Sequence, residues 1–210
     1  MKLRTLTNIL WLLKNHRLIK NWKKRNFTPP SPEFIKHEII KNNNIEDSAW
    51  IETGTYYGET TKILSRISSK VISIEADQDL YNLAKKTFST FKNIELMFGR
   101  SEDKLPEALE KIKNYENICF YFDAHLCHDH IKNIKTFGEE KNATPIKKEL
   151  KFIEDQKDKF NQINILIDDI RLFNNKFQNY PKKDYLVNWC KDNNFDWEIE
   201  QDIFICKKIQ

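Results

Sequence analysis

Acidic residues close nearly every apolar run of this chain. "SAWIET" (48–53) ends on Glu52, "KVISIEA" (70–76) on Glu75, "NICFYFDAH" (117–125) on Asp123, and "INILIDDI" (163–170) on Asp168 and Asp169; "NIELMFG" (93–99) is followed by Ser101 and Glu102. A carboxylate offers two acceptor oxygens, enough for two neighbouring hydroxyl donors. Carboxylates brought together repel one another, and a divalent cation relieves that; an all-oxygen set favours a hard ion such as Mg²⁺. His125 stands two residues after Asp123, and its near-neutral titration suits it to take a hydroxyl proton. A structural or loop histidine is the alternative. Gly54 and Gly58 are two of only four glycines; they permit a tight turn and close approach of a ligand to the backbone. Their spacing does not fit the GxGxxG dinucleotide fingerprint.

The elements that must position these residues alternate. Helical patterns run through "PEFIKHEIIKNN", "GETTKILSRIS", "QDLYNLAKKTFSTF", "KLPEALEKI", "TPIKKELKFIEDQ" and "KKDYLVNWCKDN", interleaved with the apolar runs above. Such alternation predicts βαβ units and a parallel sheet, with strands buried on both faces. The closing pair "FDWEIEQ" and "DIFICKK" is separated by almost nothing, so it should form an antiparallel hairpin. In an open α/β sheet ligands bind outside the carboxyl ends of the strands, where the acids lie. The stretch 127–143 has no clear period and reads as a long loop of the kind that covers sites.

Glu52 followed by Gly54-Thr55-Tyr56-Tyr57-Gly58 resembles motif I of the class I S-adenosylmethionine-dependent methyltransferases, an acidic residue before GxGxG, with Tyr56 in place of the middle glycine. The resemblance covers roughly residues 33–210 and implies a Rossmann-like, doubly wound, mostly parallel seven-stranded sheet with a C-terminal antiparallel strand. It assigns Glu52, Gly54, Thr55, Tyr56, Gly58 and Thr60 to the cofactor loop, Glu75 to the ribose hydroxyls, and Ser101 and Glu102 to the adenine end, with Asp123 also lining the cofactor. In that fold the strands ending in Asp123 and Asp168 are neighbours. Asp123, Asp168 and Asp169 then resemble the metal ligands of Mg²⁺-dependent O-methyltransferases of the catechol and macrolide-sugar types, with Asp123, Asp168 and His125 as the catalytic set. A metal that binds the acceptor hydroxyl would lower its pKa and fix its approach. The implied activity is O-methylation of a small molecule or carbohydrate, as in surface-glycan or sugar-nucleotide modification. A metal-independent enzyme with His125 as base and a non-enzymatic cofactor-binding module are the alternatives. A zinc site at His125, Cys127, His128 and His130 is disfavoured, because the spacing is cramped and no second ligand pair exists. Arg171 could hold a substrate anion or neutralise the acids.

The bulk numbers fit one sizeable domain: 210 residues, 40% hydrophobic and 31% charged. The cysteines at 119, 127, 190 and 206 form no CxxC pair and read as buried small hydrophobes in a reducing, cytoplasmic setting. The net charge is +4, yet residues 1–32 hold eight basic side chains and no acid, so the remainder is mildly acidic. That balance argues against a nucleic-acid partner, because backbone binding needs a basic face. The basic helical segment 1–32 is set apart from the domain 33–210. It could cap the domain, lie on an anionic membrane, or form an oligomer contact such as a homodimer.

Overall fold

Every residue of the strand β1 (Ala49–Thr53) is buried, and the reason is visible in how its neighbours alternate. Ala49 and Ile51 enter one core and Trp50 the other; along β4 (Asn117–Phe122), Ile118, Phe120 and Phe122 face the first core while Cys119 and Tyr121 face the second. A strand covered on both sides reads as a continuous apolar run. The computed structural model describes residues 15–124, 128–129, 134–135, 144–177 and 179–209. His125, Cys127, His130 and most of the loop 127–143 lie outside these, as do residues 1–14.

A helix α1 occupies residues 15–24. Then follow α2 (Glu33–Asn42), β1, α3 (Glu59–Ile67), β2 (Lys70–Glu75), α4 (Gln78–Thr87), β3 (Ile94–Phe98), α5 (Ser101–Lys111) and β4, with two short strands, β5 (His128–Asp129) and β6 (Ile134–Lys135). The chain continues through α6 (Ile146–Gln156), β7 (Gln162–Ile167), α7 (Lys183–Asp192), β8 (Phe195–Glu200) and β9 (Ile203–Lys208). The main sheet has seven strands in the order β3-β2-β1-β4-β7-β9-β8. β1, β2, β3, β4 and β7 run parallel; β9 inserts antiparallel between β7 and its hairpin partner β8. This is the mostly parallel sheet with a C-terminal antiparallel strand that the sequence predicts. The strand order reverses between β1 and β4, where the loops after the two strands diverge and leave a crevice.

The first core is sealed by α5, α6 and α7, through residues such as Leu105, Leu150 and Trp189. The second is sealed by α2 and α3, through Ile39, Ile40 and Leu64. Among the described residues three cysteines are free and buried: Cys119, Cys190 and Cys206. Among the described residues no helix is long and apolar enough to cross a membrane.

Candidate active site

The loop after β1 is built on left-handed backbone. Gly54, Tyr56 and Gly58 have φ of +88°, +50° and +78°. At Gly54 the close neighbour belongs to the protein: a Cβ there would stand 2.8 Å from the main-chain oxygen of Asp123. The glycine lets the ends of β1 and β4 touch at the switch point. A Cβ on Gly58 would meet the Phe88 ring at 2.5 Å. Tyr56 takes the conformation a glycine would adopt, and its N–H donates to Glu75 Oε2 at 2.8 Å. The other carboxylate oxygen of Glu75 accepts from Asp77 N–H, also at 2.8 Å. Burial raises the Glu75 pKa, and these N–H donors oppose the rise. Each oxygen keeps a further lone pair, so a donor such as a ribose hydroxyl could still be accepted.

Glu52 lies deeper. It pairs in register with Ser73 on β2 and Tyr121 on β4, making a polar row across the second face. Its Oε2 accepts from Thr61 Oγ1 and Ser73 Oγ, each at 2.5 Å, and Thr55 Oγ1 joins Ser73 Oγ at 2.6 Å. Burial pushes the Glu52 carboxyl up to about 8, against the hydroxyls of Ser73 and Thr61. As placed, Glu52 braces the loop from below. Its helical partner is Thr61; the half-buried Thr60, which the resemblance gives to the cofactor, stands one residue before it.

The acids after β4 and β7 gather around a lysine that the sequence did not single out. Lys36 of α2 donates to Asp168 Oδ2, which also accepts from Tyr121 Oη at 2.6 Å; Asp168 Oδ1 accepts from Asp169 N–H at 2.7 Å. Although burial opposes it, the charges of Asp168, Asp123 and Asp169 hold Lys36 protonated well above the ordinary lysine range. Burial and the charge of Asp123 lift Asp168 to about 6, and Lys36 limits the rise. Beyond Asp169, whose φ is +57°, Arg171 forms ion pairs with Asp169 and Asp202, and Asp202 Oδ1 also accepts from Arg171 N–H at 2.9 Å. Arg171 therefore neutralises the acids.

Among the described residues, one group of acids stands close enough to share an ion: Asp168, Asp169 and Asp202, with ligand atoms within 4.8 Å of one another. The resemblance had named Asp123 in place of Asp202. This donor set does not fit Mg²⁺ as it stands, because Lys36 and Tyr121 both occupy Asp168 Oδ2 and Arg171 binds the other two acids. A hard ion needs several free oxygens and bound waters.

On the opposite face, the fully buried Glu149 projects from the apolar stripe of α6, between Ile146 and Leu150. The hydroxyls of Ser101 and Thr53 lie beside its carboxyl and soften the rise that burial causes, which reaches about 8. Yet Glu149 Oε1, Thr53 Oγ1 and Ser101 Oγ each lack a partner of standard hydrogen-bond geometry among the described residues. Glu149 lines a cavity with Phe122, Asp123, Asp168, Phe173 and Tyr180. Glu102, expected at the adenine end, pairs with Arg100 at 2.7 Å.

The crevice thus brings Gly54, Tyr56, Glu75, Ser101, Asp123 and Asp168 to the carboxyl edge of the sheet. Sequence reasoning missed Lys36, Tyr121, Asp202 and Glu149. Glu149 had a signal: an acid at apolar helical spacing with Ile146, Leu150 and Ile153. Lys36 had none, because a lysine in a polar helix face looks like any solvated residue.

No family model matches the chain. A ribosomal RNA small subunit methyltransferase A from Mycoplasmopsis pulmonis is 27% identical over 187 residues, 83% of this chain and 73% of that protein. Its counterpart from Staphylococcus haemolyticus is 34% identical over 87 residues, 40% of this chain and 28% of that one. Among solved structures, a candidate caffeoyl-CoA O-methyltransferase from Staphylococcus aureus superposes with a TM-score of 0.57 at 17% identity, covering 97% of this chain and all of that one. A Streptococcus mutans protein described as a candidate methyltransferase, in complex with SAH, gives 0.51 at 14% identity, covering 84% and 96%. The two relatives overturn the expectation that nucleic acid is no partner, since both are ribosomal RNA methyltransferases. The charge balance behind that expectation was taken over 33–210 and left out the basic segment 1–32. The chain has the class I S-adenosylmethionine-dependent methyltransferase fold, and the relatives and neighbours named here agree with the enzyme class its sequence implies.

Proposed function

We propose that the chain is an S-adenosylmethionine-dependent methyltransferase that acts on RNA. The observation that carries the cofactor reading is Glu75: a buried carboxylate at the end of β2, pinned by N–H groups from the β1 loop and the start of α4. Its remaining lone pairs suit two vicinal ribose hydroxyls. Bound S-adenosylmethionine supplies an electrophilic methyl carbon on a sulfonium. The acceptor would enter from the cavity that Asp123 and Asp168 line. Lys36, protonated and paired with Asp168 at the edge of that cavity, favours an oxygen that is losing its proton, and Asp123, or His125 two residues on in the chain, takes that proton. Lys36 would do the electrostatic work a metal does elsewhere, which makes the metal-independent route the preferred one.

RNA is supported by the relative that matches 83% of the chain and by the basic segment. A small-molecule or sugar hydroxyl is the second reading, favoured by the narrow, aromatic-walled cavity with Phe122, Phe173 and Tyr180. Calorimetry with S-adenosylhomocysteine tests the cofactor site: micromolar binding is expected, and Glu75→Ala should weaken it at least about tenfold, the loss of one to two charge-assisted hydrogen bonds. No binding by the native chain would end the reading. Transfer of radiolabelled methyl groups to total RNA, against transfer to sugar and phenolic acceptors, separates the two acceptors.

A further inference from the structure

Helix α1 has an uneven surface. Asn15 and Trp22, seven residues apart, are its buried edge. Arg17, Lys20, Lys23 and Lys24, with His16, are all exposed. At 3.6 residues per turn these five positions fall within about 120° of the helix circumference, opposite the buried edge. No acidic residue occurs anywhere in 1–32, so the stripe has no internal counter-charge.

The stripe is joined by a short connection to the helix that reaches the crevice. After α1 the chain folds back: Trp22 Nε1 donates to the Thr28 carbonyl at 3.1 Å, the Trp22 ring meets Phe27 edge-on at 5.0 Å, and Arg25 Nη2 donates to the Pro30 carbonyl at 2.8 Å. Helix α2 begins at Glu33, and its Lys36 reaches Asp168 at the carboxyl edge of the sheet. Eight residues separate the end of α1 from α2, so the two helix ends stand within about 30 Å of each other.

We propose that the cationic face of α1 is a docking surface for the phosphate backbone of an RNA strand whose acceptor nucleotide enters the crevice. This rests on the RNA reading above and adds where the strand is held. A row of exposed lysines and arginines at helical spacing matches a polyanion. A membrane fits less well. A helix lying in a bilayer buries its apolar side in lipid, whereas the Asn15–Trp22 edge of α1 is already buried in the protein. The exposed Leu18 (43%) and Ile19 (41%) flank that edge on either side, so the apolar side of α1 is centred on Trp22, which the protein itself covers.

The test is fluorescence anisotropy with a labelled 20-nucleotide oligouridylate and the full chain, with S-adenosylhomocysteine present. The native protein is compared with the triple variants Lys20→Gln, Lys23→Gln, Lys24→Gln and Lys→Arg at the same positions. Three single-strand phosphate contacts contribute about 2 to the slope of log K against log salt, so the Gln variant should lose on the order of 100-fold in affinity at 0.1 M salt. The Arg variant should keep native affinity, and all three proteins should bind S-adenosylhomocysteine alike. Equal RNA affinity of the native and Gln proteins overturns this docking surface and leaves the RNA reading standing. No RNA binding by the native protein overturns both. Binding to phosphatidylglycerol-containing vesicles but not to RNA, lost in the Gln variant, assigns the face to a membrane and also overturns the proposal.

Discussion

Replacing Glu149 by Gln should stabilise the protein at alkaline pH and do little at pH 5. Glu149 is 1% exposed, and burial raises its carboxyl from 4.5 to about 8. In the unfolded chain the same group ionises near 4.5. Below that pH both states carry the proton and nothing is lost. Between 4.5 and 8 the unfolded chain releases its proton first, so stability falls as pH rises; above 8 the loss levels off. At about 1.4 kcal/mol per unit the whole difference is about 5 kcal/mol, an upper value, because water entry and local relaxation reduce it severalfold. A Gln side chain keeps the volume and does not titrate. It gives back part of the gain, about 1 kcal/mol, by exchanging a hydroxyl donor for an amide beside Thr53 and Ser101. A net gain of about 1–3 kcal/mol at pH 8.5 remains, which raises Tm by about 2–4 °C per kcal/mol for a chain of this size. Differential scanning calorimetry of both proteins from pH 5 to 8.5 measures it. Glu52 titrates in the same range but is present in both proteins, so its contribution cancels in the difference. A Tm difference that stays constant across this range would refute the placement of Glu149 as a neutral acid in the native state.

Two other substitutions probe the crevice. Lys36→Met removes the cation that compensates Asp168, Asp123 and Asp169; turnover should fall about 100-fold or more, the native enzyme should keep its activity in EDTA, and full loss of native activity in EDTA would restore a metal to the mechanism. Gly54→Ala puts a methyl group 2.8 Å from the Asp123 carbonyl at a φ of +88°, which should cost at least about 2 kcal/mol in urea denaturation; an unchanged midpoint would show that the β1 and β4 ends are further apart.

The fold was legible because its signals are local and repeated. Apolar runs such as "NICFYF" and "INILI" are short and rich in β-branched and aromatic residues, as strands covered on both faces are, and their alternation with amphipathic helices leaves a parallel sheet as the ready solution. The near-contiguous "FDWEIEQ" and "DIFICKK" specify a hairpin for the same reason. The acids at the strand ends were legible through phase: Glu75, Asp123 and Asp168 stand where each strand runs out of apolar residues. Tyr56 was visible as a departure from the glycine pattern, and the structure shows the departure absorbed, since Tyr56 adopts the positive φ itself.

What each acid does was not legible. Glu52 and Glu75 look alike in sequence, yet Glu52 faces inward onto Thr61 and Ser73 while Glu75 is held by main-chain N–H groups of the crevice loops. The three acids that suggested a metal are compensated by Lys36 and Arg171, of which Lys36 is 132 residues away from Asp168 in the chain. Gly54 reads as a ligand's approach to the backbone, and the structure adds the protein's own approach to Asp123 there. By itself the sequence determined the sheet and the succession of strands and helices, and it put the acids at the carboxyl edge, because hydrophobic periodicity acts over neighbouring residues. Only the tertiary structure decided which charges meet, because pairing and pKa depend on distances and burial between segments that the periodicity of the chain does not relate.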